Sequence, residues 1–103
     1  MIPTIDSSPL LRRMHEALVQ HGRAGYRLRV SVADEAKWEK SNRGDEVLVR
    51  WVCWSIEDGD REVTAPVFEV VGPNVTTELL RLELPKVFSG VEVEVVVDND
   101  IDV

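Results

Sequence analysis

Between Glu46 and Glu57 the chain carries apolar side chains on both faces of an alternating stretch. Val47, Val49, Trp51 and Cys53 lie on one face and Leu48, Val52, Trp54 and Ile56 on the other. A strand of this kind must sit in the middle of a sheet and be covered on two sides, because either face left in water would waste its apolar area. Everything before and after this stretch has to supply those neighbours and covers.

Upstream, Ser8-Pro9 reads as a helix N-cap followed by the residue best tolerated at the first helical position. Leu10, Met14, Ala17, Leu18 and His21 recur at helical spacing, with Leu11 at the edge of that face. Val19 falls on the polar side with Arg12, Arg13, Glu16 and Gln20. A helix is therefore expected from Pro9 to His21, closed by Gly22 in a left-handed conformation. The period then changes to two. Tyr26, Leu28, Val30 and Val32 alternate with Arg27, Arg29 and Ser31, the pattern of a half-buried strand. Asp34 to Lys40 is polar apart from Trp38 and is expected to hold a short helical turn capped by Asp34, with Ser41 to Asp45 as a loop.

Downstream, Asp58-Gly59 signals a hairpin into a third strand from Arg61 to Val71, where Pro66 implies an edge position or a bulge. Gly72-Pro73-Asn74 is a turn. Thr77 to Leu84 has helical composition, but Leu80, Leu82 and Leu84 alternate, so a strand closed by Pro85 is expected. Ser89-Gly90 is another turn, and Val91, Val93, Val95 and Val97 mark a last strand.

One helix and about five strands joined by short turns make an α+β domain, with the N-terminal helix packed on a curled, mainly antiparallel sheet. Residues 1–103 are expected to be a single domain, with 1–7 a short leader and 99–103 a mobile acidic tail. A chain of this length buries roughly 65% of its unfolded surface and needs neither metal nor disulfide to fold. One helix cannot cover both sheet faces. The sheet must curl over as a sandwich or partial barrel, or a second copy must cover it, so a homodimer contact is expected.

Charge constrains the partners. Residues 1–50 carry nine Lys and Arg against seven Asp and Glu, whereas residues 51–103 carry three against twelve, within a net charge of −7. An acidic half argues against nucleic acid and anionic membrane surfaces and for a basic protein partner. No apolar run approaches the ~20 residues that span a bilayer. The N-terminus lacks the basic and apolar regions of a signal peptide, and the lone Cys53 suits a reducing compartment. A cytoplasmic protein is expected. Arg43-Gly44-Asp45 and Asn74-Val75-Thr76 match adhesion and glycosylation patterns that matter only outside the cell.

The candidate contact residues follow from these patterns. Glu92, Glu94 and Asp98 share one face of the last strand at about 6.6 Å intervals or their multiples, and Asp100 and Asp102 extend the row. Such a row engages a basic partner, or else it pairs across the sheet with Arg27 and Arg29 if the first and last strands are neighbours. Charge counting favours a row left largely exposed, since two arginines cannot neutralise twelve acids. Trp51 and Trp54 face opposite ways, so one belongs in the core while the other anchors an interface or is buried as well. Trp54 is taken as the contact candidate, with Trp38 as a second.

No metal or cofactor is expected. His15 and His21 stand roughly 240° apart on the helix and cannot share an ion, and Asp98, Asp100 and Asp102 lack the Gly and Glu that complete a calcium loop. Cys53 reads as a buried, inert thiol. These features describe a non-enzymatic acidic binding module of inhibitor, immunity or adaptor type. The alternatives are a self-associating structural or accessory subunit of the phage-encoded kind, and a small enzyme using a carboxylate as acid or base.

Overall fold

The computed structural model describes residues 8–88 and 93–99, with Ser8 described by its backbone alone. Its first helix, α1, spans Ser8–His21 and buries Leu10, Met14 and Leu18. Val19, the apolar residue on the polar side of the wheel, is 73% exposed. Gly22 ends the helix for a different reason from the one expected. Its N–H donates to the Leu18 carbonyl oxygen at 2.8 Å, and it is not among the left-handed glycines. A β-carbon there would stand 2.5 Å from that same oxygen, so close approach requires the glycine.

The sheet is built around β3. Strand β1 (Arg27–Val32) and the short β2 (Lys37–Lys40) run back antiparallel along it. The polar stretch after Asp34 is thus a strand at Lys37–Lys40, not the helical turn expected from composition. Pairing of Trp38 with Leu48 and Glu39 with Val47 extends the ladder beyond the break at Asp34 to Ala36. Strand β3 itself spans Glu46–Asp58 and is central as expected, since Val52, Cys53 and Trp54 each pair with a neighbour on both sides. Its 13 residues, at roughly 3.3 Å each, match the 43 Å long axis of the molecule. Gly44 (φ 84°) turns the hairpin before it and Gly59 (φ 62°) the hairpin after it.

The expected third strand is two pieces, β4 (Arg61–Glu62) and β5 (Val67–Val71), both antiparallel to β3. Pro66 falls in the interruption, and β5 flanks β3 on the side away from β1.

Thr77–Val87 is a helix, α2, which overturns the expected strand. Thr76 caps it, its hydroxyl accepting from the Leu79 N–H at 3.2 Å. Leu80, Leu84 and Phe88 are buried at intervals of four, whereas Leu82, which the alternating pattern needed inside, is exposed. Pro85 sits within the last turn and does not close the segment. Helix α2 allows what an all-antiparallel chain would not. Strand β6 (Glu94–Asp98) pairs with β1 in parallel, a geometry that needs a long crossover connection.

The result is an α+β fold with an open, mostly antiparallel sheet. Leu28, Val30 and Val32 stand in register with Ile56, Trp54 and Val52. They form one core with Val71, Val97, the α1 residues Leu10, Met14 and Leu18, and the α2 residues Leu80 and Leu84. Both helices therefore cover the same sheet face. No described helix is long and apolar enough to cross a membrane. The expected turn at Ser89-Gly90, the start of the last strand and the tail from Asp100 onward lie outside the described residues.

Candidate functional site

The sheet face away from the helices is read from the same register. Arg27, Arg29 and Ser31 of β1 stand opposite Glu57, Ser55 and Cys53 of β3, and beside Glu94, Val96 and Asp98 of β6. At the far side Trp51 and Cys53 pair with Val70 and Phe68 of β5. The face is thus polar and acidic at the β1–β6 margin and apolar at the β5 margin.

At the polar margin the sequence alternatives resolve in favour of pairing for the acids that are described. Arg27 reaches Glu57 at 3.9 Å and Glu94 at 3.5 Å, and Arg29 reaches Asp98 at 3.3 Å. The Glu94 side chain remains 65% exposed while that of Asp98 is 21% exposed. The row is therefore not a uniformly bare stripe. Glu94 offers its outer edge to solvent and Asp98 is half-buried against β1. Glu92, Asp100 and Asp102 lie outside the described residues. Further acids gather at the β3–β4 hairpin, where Glu57 and Glu62 are cross-strand partners and Asp58 pairs with Arg61 at 3.2 Å. Burial, with a smaller contribution from the Glu62 carboxylate, raises the Cys53 thiol above its ordinary pKa.

At the apolar margin the tryptophans sort differently from the expectation. Trp54 is 4% exposed on the helix side, so it is a core residue and cannot be a contact anchor. Its indole Nε1 donates to Glu69 Oε2 at 2.6 Å, and the other oxygen of that carboxylate is held by Arg13 of α1. Alternation alone could not choose between Trp51 and Trp54, because the choice depends on which face the helices cover. Trp51 lies on the open face, half-buried, with Nε1 donating to Glu39 at 3.3 Å. Trp38 is 55% exposed on β2 and pairs with Leu48, so it lies on the face opposite to Trp51. Phe68, which the sequence reading passed over, is 60% exposed. The available signal was Pro66, which marks the following strand as an edge.

Two cavities meet at Trp51 and Val70. One, of about 380 Å³, is bordered by Pro9, Leu10, Arg13, Phe68 and Glu69 as well as these two. The other, of about 240 Å³, lies over Val47 and Val49 beside Glu39, Lys40 and Ser41. Among the described residues no group of three or more His, Cys, Asp or Glu side chains is placed to hold a metal ion. His15 stacks against Phe88, with ring centroids 6.4 Å apart, and His21 is exposed at the end of α1. Compared with protein-family models, curated proteins and solved structures, the chain matches none.

Proposed function

We propose that this chain is a non-enzymatic, cytoplasmic protein-binding module of inhibitor, immunity or adaptor type, which meets a basic partner with the open face of its sheet. The observation that carries this reading is the placement of both helices on one face. It leaves the other with an acidic margin at Glu57 and Glu94 and an apolar margin at Trp51, Val70 and Phe68. Protein contacts combine an aromatic anchor with a charged rim in this way: the anchor supplies affinity, and the rim supplies encounter rate and choice of partner. Val47 and Val49, on the arm formed by β2 and β3, continue the apolar part beside Trp51. Glu92, Asp98, Asp100 and Asp102 belong to the proposed acidic rim by sequence position.

The test begins with a partner recovered from the native host and then purified, so that binding can be titrated. Raising salt from low to physiological ionic strength should weaken the complex, because exposed charges are screened beyond ~8 Å there. Replacing Glu94 with Lys should weaken it at low salt while leaving thermal unfolding nearly unchanged. Binding indifferent both to salt and to Glu94→Lys would overturn the acidic-rim reading.

A further inference from the structure

The larger cavity is bordered by Phe68, Glu69 and Val70. Consecutive strand residues point to opposite faces, so a single cavity touched by all three runs along the edge of the strand and not over one face. Among the described residues β5 pairs only with β3. Its outer edge is thus a row of backbone donors and acceptors bordered by exposed Val67 and Phe68. Edges of this kind are ordinarily blunted by charge or covered. The β6 margin is treated in that way: Glu94 and Asp98 are charged, and Arg81 of α2 already donates to the Val97 carbonyl at 2.8 Å. Among the described residues the β5 edge carries no such guard.

We propose that β5 pairs antiparallel with β5 of a second copy, about a two-fold axis at Glu69, to give a symmetric dimer with one continuous sheet. Three features point to a second copy over an unrelated strand. In this register Phe68 lies beside the partner's Val70 on the open face, so each copy supplies both the aromatic knob and the lining of the recess that receives it. A two-fold contact requires that self-complementarity. The single charge of the strand, Glu69, meets its own symmetry mate, where two carboxylates would ordinarily repel. Here each is already held within its own chain by Arg13 and by the Trp54 indole, and its side chain is only 8% exposed. The strand therefore presents a neutral edge to a copy of itself. Pro9 and Leu10 border the same cavity, so the first turn of α1 adds apolar area beside the paired strands.

The inference concerns the edge of β5 and does not depend on the proposed open-face partner. It is tested on the full chain alone by sedimentation equilibrium from about 0.1 μM to about 1 mM, a range that brackets contacts of micromolar affinity. The mass should approach twice 11.6 kDa and, unlike partner binding, should be indifferent to salt. Phe68→Lys should weaken the dimer roughly tenfold or more, the loss expected of an aromatic anchor, with circular dichroism unchanged. Trp38→Lys, on β2 away from this edge, should leave the dimer intact. A monomer across the whole range would overturn the proposal, as would a Phe68→Lys protein that dimerises like the parent. Equal weakening by Trp38→Lys would mean non-specific apolar association and would also overturn it. If only a variant deleted for residues 1–7 dimerises, the leader occupies the edge in the full chain and the second-copy assignment is wrong.

Discussion

Glu69 is the side chain through which one helix and one strand are tied together. Its carboxylate takes the indole N–H of Trp54 beneath α1 and the guanidinium of Arg13 from α1 itself. Replacing Trp54 with Phe removes one of those donors and should cost about 1–2 kcal/mol in urea unfolding. The cost should shrink in a Glu69→Gln background, where the carboxylate charge is gone. Equal costs in the two backgrounds would show that the carboxylate charge adds nothing to the bond. Arg50 plays a comparable part without a carboxylate. Its guanidinium donates to the carbonyls of Ala33 and Asp34 in the break between β1 and β2, at 2.8 and 2.6 Å, and to Pro73 before α2 at 3.0 Å. Arg50→Met strands three acceptors and should cost about 2–3 kcal/mol, while Arg50→Lys, a single point donor, should recover only part. Cys53 gives a residue-scale test by pH. Its folded pKa lies above the ordinary value of 9.0, so the folded protein holds its thiol proton longer than the unfolded chain does. The contribution is fully present below pH 9.0 and is lost as pH rises through the folded value. Iodoacetamide labelling should therefore be slow at neutral pH and climb only in alkali. Cys53 is half-buried, so fast labelling at pH 7 would contradict the raised pKa of its thiol.

Helix α2 teaches the most at the scale of elements, because two periodicities overlap in it. Leu80, Leu82 and Leu84 spell a strand, while Leu80, Leu84 and Phe88 spell a helix. The cap at Thr76 and the low backbone cost of leucine in a helix decide between them. Thr76→Ala should accordingly lower stability by about 1 kcal/mol in thermal unfolding. A loss confined to a few tenths would mean that packing of Leu80 and Leu84 fixes the helix without its cap. Elements whose faces differ sharply were legible in the sequence. Examples are α1 and β1, and β3 was legible for the opposite reason, since two apolar faces could only belong to a central strand. The order of the strands was not, because the parallel β1–β6 pair depends on α2 as a crossover, and that segment was misread. The same gap hid the site. Arg27 and Arg29 could be named as partners of the last strand, but which acids they meet follows from a register that only the crossover sets. Trp51, Phe68 and Glu69 became visible as a group once the helix-covered face was known.

For the molecule as a whole, part of the acidic half of the sequence is folded against arginines of the other half. Parallel pairing lays β6 against β1, so carboxylates from the last part of the chain are spent on arginines from the first. Among the described acids of that half, Asp58, Asp60, Glu62, Glu78, Glu83 and Glu94 stay exposed, whereas Glu57, Glu69 and Asp98 are half-buried and paired. Glu94→Lys should therefore disturb folding by no more than about 0.5 kcal/mol, as an exposed substitution does. A larger loss would mean that the contact with Arg27 holds the sheet margin together. The β1–β6 pairing also has a consequence in time. The antiparallel ladders of β1 through β5 join neighbours in the chain and close over short loops, whereas β6 must wait for the whole crossover to be made. On a ribosome the chain would hold its arginine-bearing strand uncovered on one side until Glu94–Asp98 had emerged. A nascent chain halted before Glu94 should accordingly be the species that chaperones and proteases find first.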